Sequence, residues 1–167
     1  MNKKTRFLAY GALIGAMYVT LTYLQNILVP NSTSWAIQFR ASEALTVLAL
    51  FTPAAIPGLS VGCLLYNISN AGSLPLDFLV GTLATLLATA GMWWSRKVTF
   101  KGYPWIAMLL PGLANALLVG WELSIYVGGG FWLNALYVAI GEVAVLLSLG
   151  SLLYWVIRSR ELQRYLQ

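Results

Sequence analysis

The sequence has few charged residues, no histidine and only one cysteine. Charged side chains make up 9% of its 167 residues, whereas 59% of the residues are hydrophobic and the mean hydropathy is +0.75. A soluble domain usually carries about 25% charged residues. Because so few charges cannot cover a water-facing surface, the composition indicates an integral membrane protein.

The missing residue types also exclude several kinds of site. Without histidine, the chain cannot form histidine-based catalytic triads, metal sites or proton relays. The single cysteine, Cys63, cannot form an internal disulfide or a thiolate metal cage. The phosphate-binding loop used for ATP hydrolysis, G-x-x-x-x-G-K-S/T, does not occur. We therefore expect a binding protein without a cofactor or nucleic-acid partner, and not an enzyme.

Charge distribution predicts the topology. The charge-free runs leave no room for a soluble domain and suffice for five or six spanning helices of roughly 20 residues. Apart from Arg40, the basic residues form three clusters: Lys3/Lys4/Arg6, Arg96/Lys97/Lys101 and Arg158/Arg160/Arg164. The positive-inside rule places all three clusters in the cytoplasm. An even number of crossings must then precede Arg96, and another even number must follow Lys101.

A proline-containing break makes the number of membrane crossings before Arg96 even. Residues 42–70 would ordinarily form one helix, but Pro53, Pro57 and Gly58 interrupt them, since proline loses a backbone donor and clashes with the preceding turn. We therefore predict an all-α integral membrane protein with six transmembrane helices, the second one short, and cytoplasmic N- and C-termini. The predicted helices of this single membrane domain (1–167) are 5–29, 42–51, 54–70, 76–95, 104–122 and 134–157. A five-span topology is the alternative.

Four of the five acidic residues then lie toward the outer half of the protein: Glu43, Asp77, Glu122 and Glu142. No base lies within sequence reach of Glu142, and an intramembrane carboxylate predicts a functional site. Its two parallel acceptor oxygens match adjacent N–H donors, as on the Watson–Crick edge of guanine. Complementary polar groups and aromatic faces could come from Asn67, Asn70, Asn134, Trp121 and Trp132.

Structural explanations exist for several of these residues. Arg40 and Glu43 could form an ion pair near a helix start, where the helix dipole favours the acid. Asp77 could simply be an acid at the start of the fourth helix. The tryptophans could belong to the aromatic belt that membrane proteins place at the interface.

The first helix carries a strip of small residues on one face: Gly11, Ala12, Gly15 and Ala16. Small residues four apart allow another helix to approach closely. The strip predicts either packing within the same bundle or docking of a separate membrane protein.

Three segments carry a resemblance to a known family. They are Gln38-Phe39-Arg40-x-Ser42-Glu43-Ala44-Leu45, the Pro53…Ile56-Pro57-Gly58 break, and Trp121-Glu122-Leu123…Gly128-x-Gly130-Phe131-Trp132-x-Asn134…Gly141-Glu142. With them the chain resembles the QueT family of substrate-capture (S) components of energy-coupling-factor (ECF) transporters, associated with queuosine precursors. The likeness extends over nearly the whole chain.

The resemblance implies a six-helix S component in the bacterial cytoplasmic membrane, with an outward pocket closed by the first and third outer loops. Its implied partners are a transmembrane coupling subunit, which Ala12 and Ala16 would meet, and two cytoplasmic ATPases. The implied substrate is a 7-deazaguanine bearing a cyano or aminomethyl group.

In this reading Glu142 or Glu122 accepts hydrogen bonds from the ring N–H and the exocyclic amine. Asn67, Asn70 and Asn134 form hydrogen bonds with the carbonyl and the remaining edge of the base. Trp121 and Trp132 cover the ring. The positive charge of an aminomethyl group is bound by Glu43, which Arg40 holds in place, or by Asp77. The alternatives are an S component for riboflavin or thiamine, a stand-alone channel or facilitator, and a membrane-embedded enzyme.

Overall fold

A computed structural model describes residues 2–30, 32, 39–70 and 74–166, without the side chain of residue 165, and these residues contain helices but no strand. The helices are α1 (Lys3–Leu28), a 3₁₀ helix (Ala41–Leu50), α2 (Ala55–Ser69), α3 (Asp77–Ser95), α4 (Trp105–Tyr126), α5 (Phe131–Ser159) and the short α6 (Gln163–Leu166). By length and composition, α1, α3, α4 and α5 can cross a membrane, whereas the 3₁₀ helix and α2 are shorter apolar helices. This arrangement agrees with the predicted integral membrane protein.

The 3₁₀ helix lies in the middle of the bundle and contacts all five helices from α1 to α5. Its residues Ser42 to Leu50 are all buried. At about 2.0 Å per residue it reaches only ~20 Å, less than the ~30 Å hydrocarbon core of a bilayer. Such a short helix is tolerated because protein surrounds it and satisfies its ends. At its start, Gln25 Oε1 accepts a hydrogen bond from Ala41 N–H over 2.7 Å.

The predicted break lies at residues 51–54, between the 3₁₀ helix and α2. Only Pro53 falls in it. Pro57 lies in the first turn of α2, where the missing N–H has no intrahelical partner to lose. With 15 residues, α2 is about 22 Å long. The third segment is therefore also shorter than a full span, whereas the sequence predicted a full-length helix there.

The backbones of α1 and α2 pack closely at their glycines. A Cβ atom added to Gly58 would lie 2.5 Å from Gly11 O, and one added to Gly15 would lie 2.7 Å from Gly58 O. Side chains do not fit at these distances, so the glycines allow the contact. Gly11 and Gly15, predicted as part of a docking strip, thus have a partner inside the bundle.

The three basic clusters lie at one end of the bundle, here called the basic end. Lys3, Arg6 and Arg96 line one groove of about 440 Å³ together with Leu166 near the C-terminus. Arg158 Nη1 donates to Gly102 O over 3.0 Å, which places the third cluster beside Lys101. The opposite end, where the 3₁₀ helix and α3 begin and α4 ends, is called the acidic end.

The turn between α4 and α5 is tighter than predicted. The helix α4 continues to Tyr126, past the predicted end at residue 122, and α5 begins at Phe131 rather than at residue 134. The connection comprises residues 127–130, where Gly128, Gly129 and Gly130 have φ values of +84°, +82° and +82°. Residues other than glycine are strained at positive φ. The glycine triplet therefore forms the turn, and the apolar residues on either side of it remain helical.

Candidate functional site

A cluster of buried polar side chains lies within the bundle toward the acidic end. It comprises Arg40, Glu43, Asn67, Asp77, Asn115, Glu122 and Glu142, each at most 8% exposed. These residues, here called the polar cluster, come from the 3₁₀ helix and the residue before it and from the four helices α2 to α5. The sequence analysis predicted all of them except Asn115.

The start of the 3₁₀ helix holds Glu43 in place. The hydroxyl of Tyr18 on α1 donates to Glu43 Oε1 over 2.5 Å, and Thr22 Oγ1 donates to Ser42 Oγ over 2.7 Å. Tyr18 and Thr22 are both fully buried. These two hydrogen bonds attach the start of the 3₁₀ helix to α1.

Arg40 is the one base of the polar cluster. Its guanidinium carbon lies 5.9 Å from the centroid of the buried Tyr66 ring, a cation–π distance. Its positive charge interacts with all four carboxyl groups: Glu43, Asp77, Glu122 and Glu142. Arg40 therefore interacts with the whole acidic set, and not with Glu43 alone as in the predicted ion pair.

The deeper part of the cluster is built around Glu142. This residue lies near the middle of α5, and Asn115 of α4 lies beside its carboxyl group. Glu43 also lies within electrostatic range of Glu142. Three atoms here have no hydrogen-bond partner among the described residues: Glu142 Oε2, Glu43 Oε2 and Asn115 Nδ2.

The shallower part is built around Glu122, in the last turns of α4, and Asp77, the first residue of α3. The Asp77 side chain and the Leu76 backbone lie beside the Glu122 carboxyl group. Asp77 Oδ2 accepts from Leu74 N–H over 3.3 Å, and Asn67 Nδ2 donates to Asp77 O over 2.9 Å. Both carboxyl oxygens of Glu122 and the amide oxygen of Asn67 are buried without a hydrogen-bond partner among the described residues.

The unpartnered atoms have a common chemistry. In the polar cluster five are acceptor oxygens, from Glu43, Asn67, Glu122 and Glu142, and one is the donor nitrogen of Asn115. Most buried polar groups in proteins are hydrogen-bonded, and leaving one unpaired costs about 1–3 kcal/mol. Such a concentration of unpaired acceptors indicates a site for a ligand that presents several N–H donors.

Some predicted residues are not part of this cluster. Asn134 Nδ2 donates to Gly128 O over 2.7 Å and holds the α4–α5 turn, while Asn70 Nδ2 donates to the Tyr66 hydroxyl over 3.2 Å. Trp121 is 47% exposed and Trp132 is 80% exposed. Both tryptophans therefore lie on the outer surface of the protein, as residues of an interfacial aromatic belt do. Gln38 of the quoted motif lies outside the described residues.

Two functional candidates were missed. Asn115 carried a visible signal, because it is one of the few polar residues in the otherwise apolar α4. Tyr18 carried none, since its partner Glu43 is 25 residues away and tyrosine is common in membrane helices.

Ala12 and Ala16 line an open groove between α1 and α2. Both are exposed, and the groove has a volume of about 620 Å³ with Gly11, Gly15 and Gly58 among its lining residues. The predicted strip is thus divided: its glycines contact α2, and its alanines remain accessible at the surface.

A family model described as QueT transporter matches residues 8–159 of the 167. The match includes the whole polar cluster, the 3₁₀ helix, and α2 to α5 with most of α1. No curated protein and no solved structure matches the chain.

Proposed function

The chain belongs to the QueT transporter family, and from this premise we propose that it is the S component of an ECF transporter that captures a queuosine precursor, a 7-deazaguanine base. The family match establishes a membrane transporter for a small substrate. The substrate and the partner subunits are the proposed part.

The observation that carries the proposal is the set of unpartnered acceptors in the polar cluster. A 7-deazaguanine presents adjacent donors, the ring N–H and the exocyclic amine, next to one carbonyl acceptor. Glu142 Oε2 and Glu43 Oε2 are buried acceptors without a hydrogen bond, and Asn115 Nδ2 is a donor in the same state. Carboxylates bind such paired N–H groups strongly. The ratio of acceptors to donors in the cluster therefore suits this edge of the ring.

The ring faces need apolar cover as well. Trp121 and Trp132 remain the predicted cover, and both would have to turn inward from their exposed positions. Tyr66, whose ring is buried beside Arg40, is an aromatic side chain already next to the polar cluster. Asn70 and Asn134 would act by holding Tyr66 and the α4–α5 turn, to which they are hydrogen-bonded.

Energy for uptake would come from other subunits. The sequence lacks an ATP-binding loop of the usual type, so we propose that a transmembrane coupling subunit and two cytoplasmic ATPases supply it. The coupling subunit would enter the groove at Ala12 and Ala16, where small exposed side chains permit close helix contact. In this arrangement the single membrane domain, residues 1–167, lies in the bacterial cytoplasmic membrane with both termini inside.

Calorimetry on the purified chain tests the proposal. We expect a 7-deazaguanine base to bind, and E142Q to weaken binding by about 1–3 kcal/mol because the amide presents a donor where the ligand also presents one. The matched control is E161Q, because Glu161 lies in the tail and pairs with Arg164. Binding to E161Q should equal that of the unchanged protein.

Three outcomes would contradict parts of this proposal. Equal affinity of E142Q and the unchanged protein would remove Glu142 from the site. Binding of riboflavin or thiamine in place of the deazaguanine would assign the substrate differently. Transport by the chain alone in liposomes, without any ATPase, would indicate a facilitator.

A further inference from the structure

The groove at the basic end, here called the basic groove, combines positive charge with apolar walls. It has a volume of about 440 Å³ and contains the side chains of Lys3, Arg6 and Arg96. No acidic side chain is among its described lining residues. The apolar part of the lining includes Phe7, Phe51, Trp93 and Leu166. A site with this lining suits a ligand that is anionic at one end and apolar at the other.

The surroundings of the groove offset little of its positive charge. The 3₁₀ helix and α3 end beside it and α1 begins there, and each helix end carries about half an elementary charge. Two negative ends and one positive end leave the backbone with about half a negative charge. Glu161, the one acid of the sequence outside the polar cluster, forms an ion pair with Arg164. The three bases of the groove therefore keep most of their charge for a ligand.

Aromatic rings hold both arginines of the groove in place. Arg6 Nε donates to the Tyr10 hydroxyl over 3.3 Å, and the Arg6 guanidinium carbon lies 5.4 Å from the centroid of the Tyr10 ring. The Arg96 guanidinium carbon lies 3.4 Å from the centroid of the Trp93 ring, and Arg96 Nη1 donates to the Trp93 carbonyl oxygen. A guanidinium group has five N–H donors and can bind phosphate oxygens while it keeps such contacts. Because the two groups are positioned in advance, binding costs less conformational entropy.

The position of the groove favours a lipid over a soluble anion. Phe7 is exposed and lines both the basic groove and the apolar groove between α1 and α2, so the basic groove borders the surface that faces lipid. Trp94, the neighbour of Trp93, is also exposed, as tryptophans at the level of lipid headgroups are. A soluble phosphate would leave the apolar walls in water, whereas the glycerol and upper acyl carbons of a phospholipid would cover them.

We propose that the basic groove binds an anionic phospholipid of the leaflet that borders the basic end. Its phosphate group is bound by Arg6 and Arg96 with Lys3 beside them, and its glycerol and upper acyl carbons pack against Phe7 and Trp93. Basic pockets between transmembrane helices bind lipid headgroups in this way. The site lies at the end of the bundle opposite the polar cluster, so the inference does not depend on the identity of the transported substrate.

Native mass spectrometry of the full chain in a nonionic detergent tests the site with short-chain lipids. We expect dioctanoyl phosphatidylglycerol to bind about 10-fold or more tightly than dioctanoyl phosphatidylcholine, whose headgroup has no net charge. Each base near a lipid phosphate is worth about a fivefold change in affinity, so R6Q together with R96Q should weaken phosphatidylglycerol binding about 25-fold. The matched control, K97Q with R160Q, removes two charges at exposed positions of the same end and should change it about twofold or less.

Inorganic phosphate is the third probe, and it should not displace phosphatidylglycerol at equal concentration. If it does, the groove is a site for a soluble anion and the lipid assignment is wrong. Equal affinity of the two lipids for the unchanged protein would also overturn the proposal. Equal losses in the double variant and its control would show that only the overall charge attracts the lipid.

A protein occupant would give a different result. The variant R6Q with R96Q would then keep its affinity for phosphatidylglycerol but fail to assemble with the coupling subunit and ATPases, which would overturn the lipid assignment. Should that variant not fold, K3Q replaces it, because Lys3 is exposed at the start of α1. We expect K3Q to weaken phosphatidylglycerol binding about fivefold, whereas an affinity equal to that of K97Q would contradict the site.

Discussion

At the scale of single residues, Tyr18 determines how Glu43 is presented. The hydroxyl of Tyr18 donates to Glu43 Oε1 over 2.5 Å, which leaves Oε2 of the same carboxyl group without a partner. Both side chains are buried, so water cannot substitute for the tyrosine. One oxygen is thus used for structure and the other is available to a ligand.

Removal of this hydroxyl should destabilise the protein. We expect Y18F to lower the free energy of unfolding by about 1–3 kcal/mol, because Glu43 then loses the donor to its Oε1. The matched control is Y23F on the same helix, whose hydroxyl contacts Ser69 at an exposed position and should matter by about 0.5 kcal/mol or less. Thermal unfolding in detergent measures both. Equal melting temperatures for the two variants would contradict this role of Tyr18.

The same residues show what sequence reasoning can predict at this scale. Glu122 and Glu142 could be identified because a carboxyl group in an apolar run is rare, and each lies buried in the cluster. Asn115 could have been found by the same rule applied to amides. The Tyr18–Glu43 contact could not, because it joins positions 25 residues apart and depends on how the 3₁₀ helix packs against α1.

At the scale of elements, the 3₁₀ helix, which is narrower than an α-helix, packs against a π-helical turn, which is wider. The 3₁₀ helix contacts the π-helical turn Leu146–Gly150 of α5, and a Cβ added to Gly150 would lie 3.2 Å from Val47 Cγ2. The sequence predicted helices at 42–51 and 134–157 but neither departure from α-helical geometry. Hydrophobic pattern locates apolar segments, whereas the choice between α, 3₁₀ and π turns depends here on packing between segments far apart in the chain.

The α1 strip gives a prediction that separates its two faces. G15L should lower stability by about 1–3 kcal/mol or prevent folding, because a Cβ there would lie 2.7 Å from the Gly58 carbonyl oxygen. A12L together with A16L should leave unfolding and calorimetric ligand binding nearly unchanged, because both alanines are exposed in the groove. Uptake by cells that carry the coupling subunit and ATPases should nevertheless be lost in the alanine variant.

The contrast between the two variants is informative either way. If the alanine variant transports normally, the groove is not the docking surface. If it loses ligand binding as well, Ala12 and Ala16 serve packing within the bundle.

At the scale of the whole molecule, the charges divide the protein into two ends. Lys3, Arg6 and Arg96 share one groove at the basic end, and the polar cluster lies toward the other end. Sequence reasoning predicted this separation because nine of the ten basic residues form three clusters that the positive-inside rule places on one side, whereas four of the five acids lie toward the other side. It overestimated α2, which is apolar but has only 15 residues, because an apolar composition does not show how long a helix is. The orientation of the two ends relative to the membrane remains a prediction.

Cysteine labelling of intact cells tests that orientation. With the buried Cys63 replaced by alanine, single cysteines at N2C, V98C and V127C report on three exposed positions. Six crossings place residues 2 and 98 inside and residue 127 outside, so a membrane-impermeant maleimide should label only V127C until the cells are lysed. A five-span chain would place residues 2 and 98 on opposite sides, because residues 41–69 would then cross the membrane once rather than twice. Labelling of either N2C or V98C from outside would therefore refute the charge-parity argument and, with it, the assignment of the acidic end to the outer face.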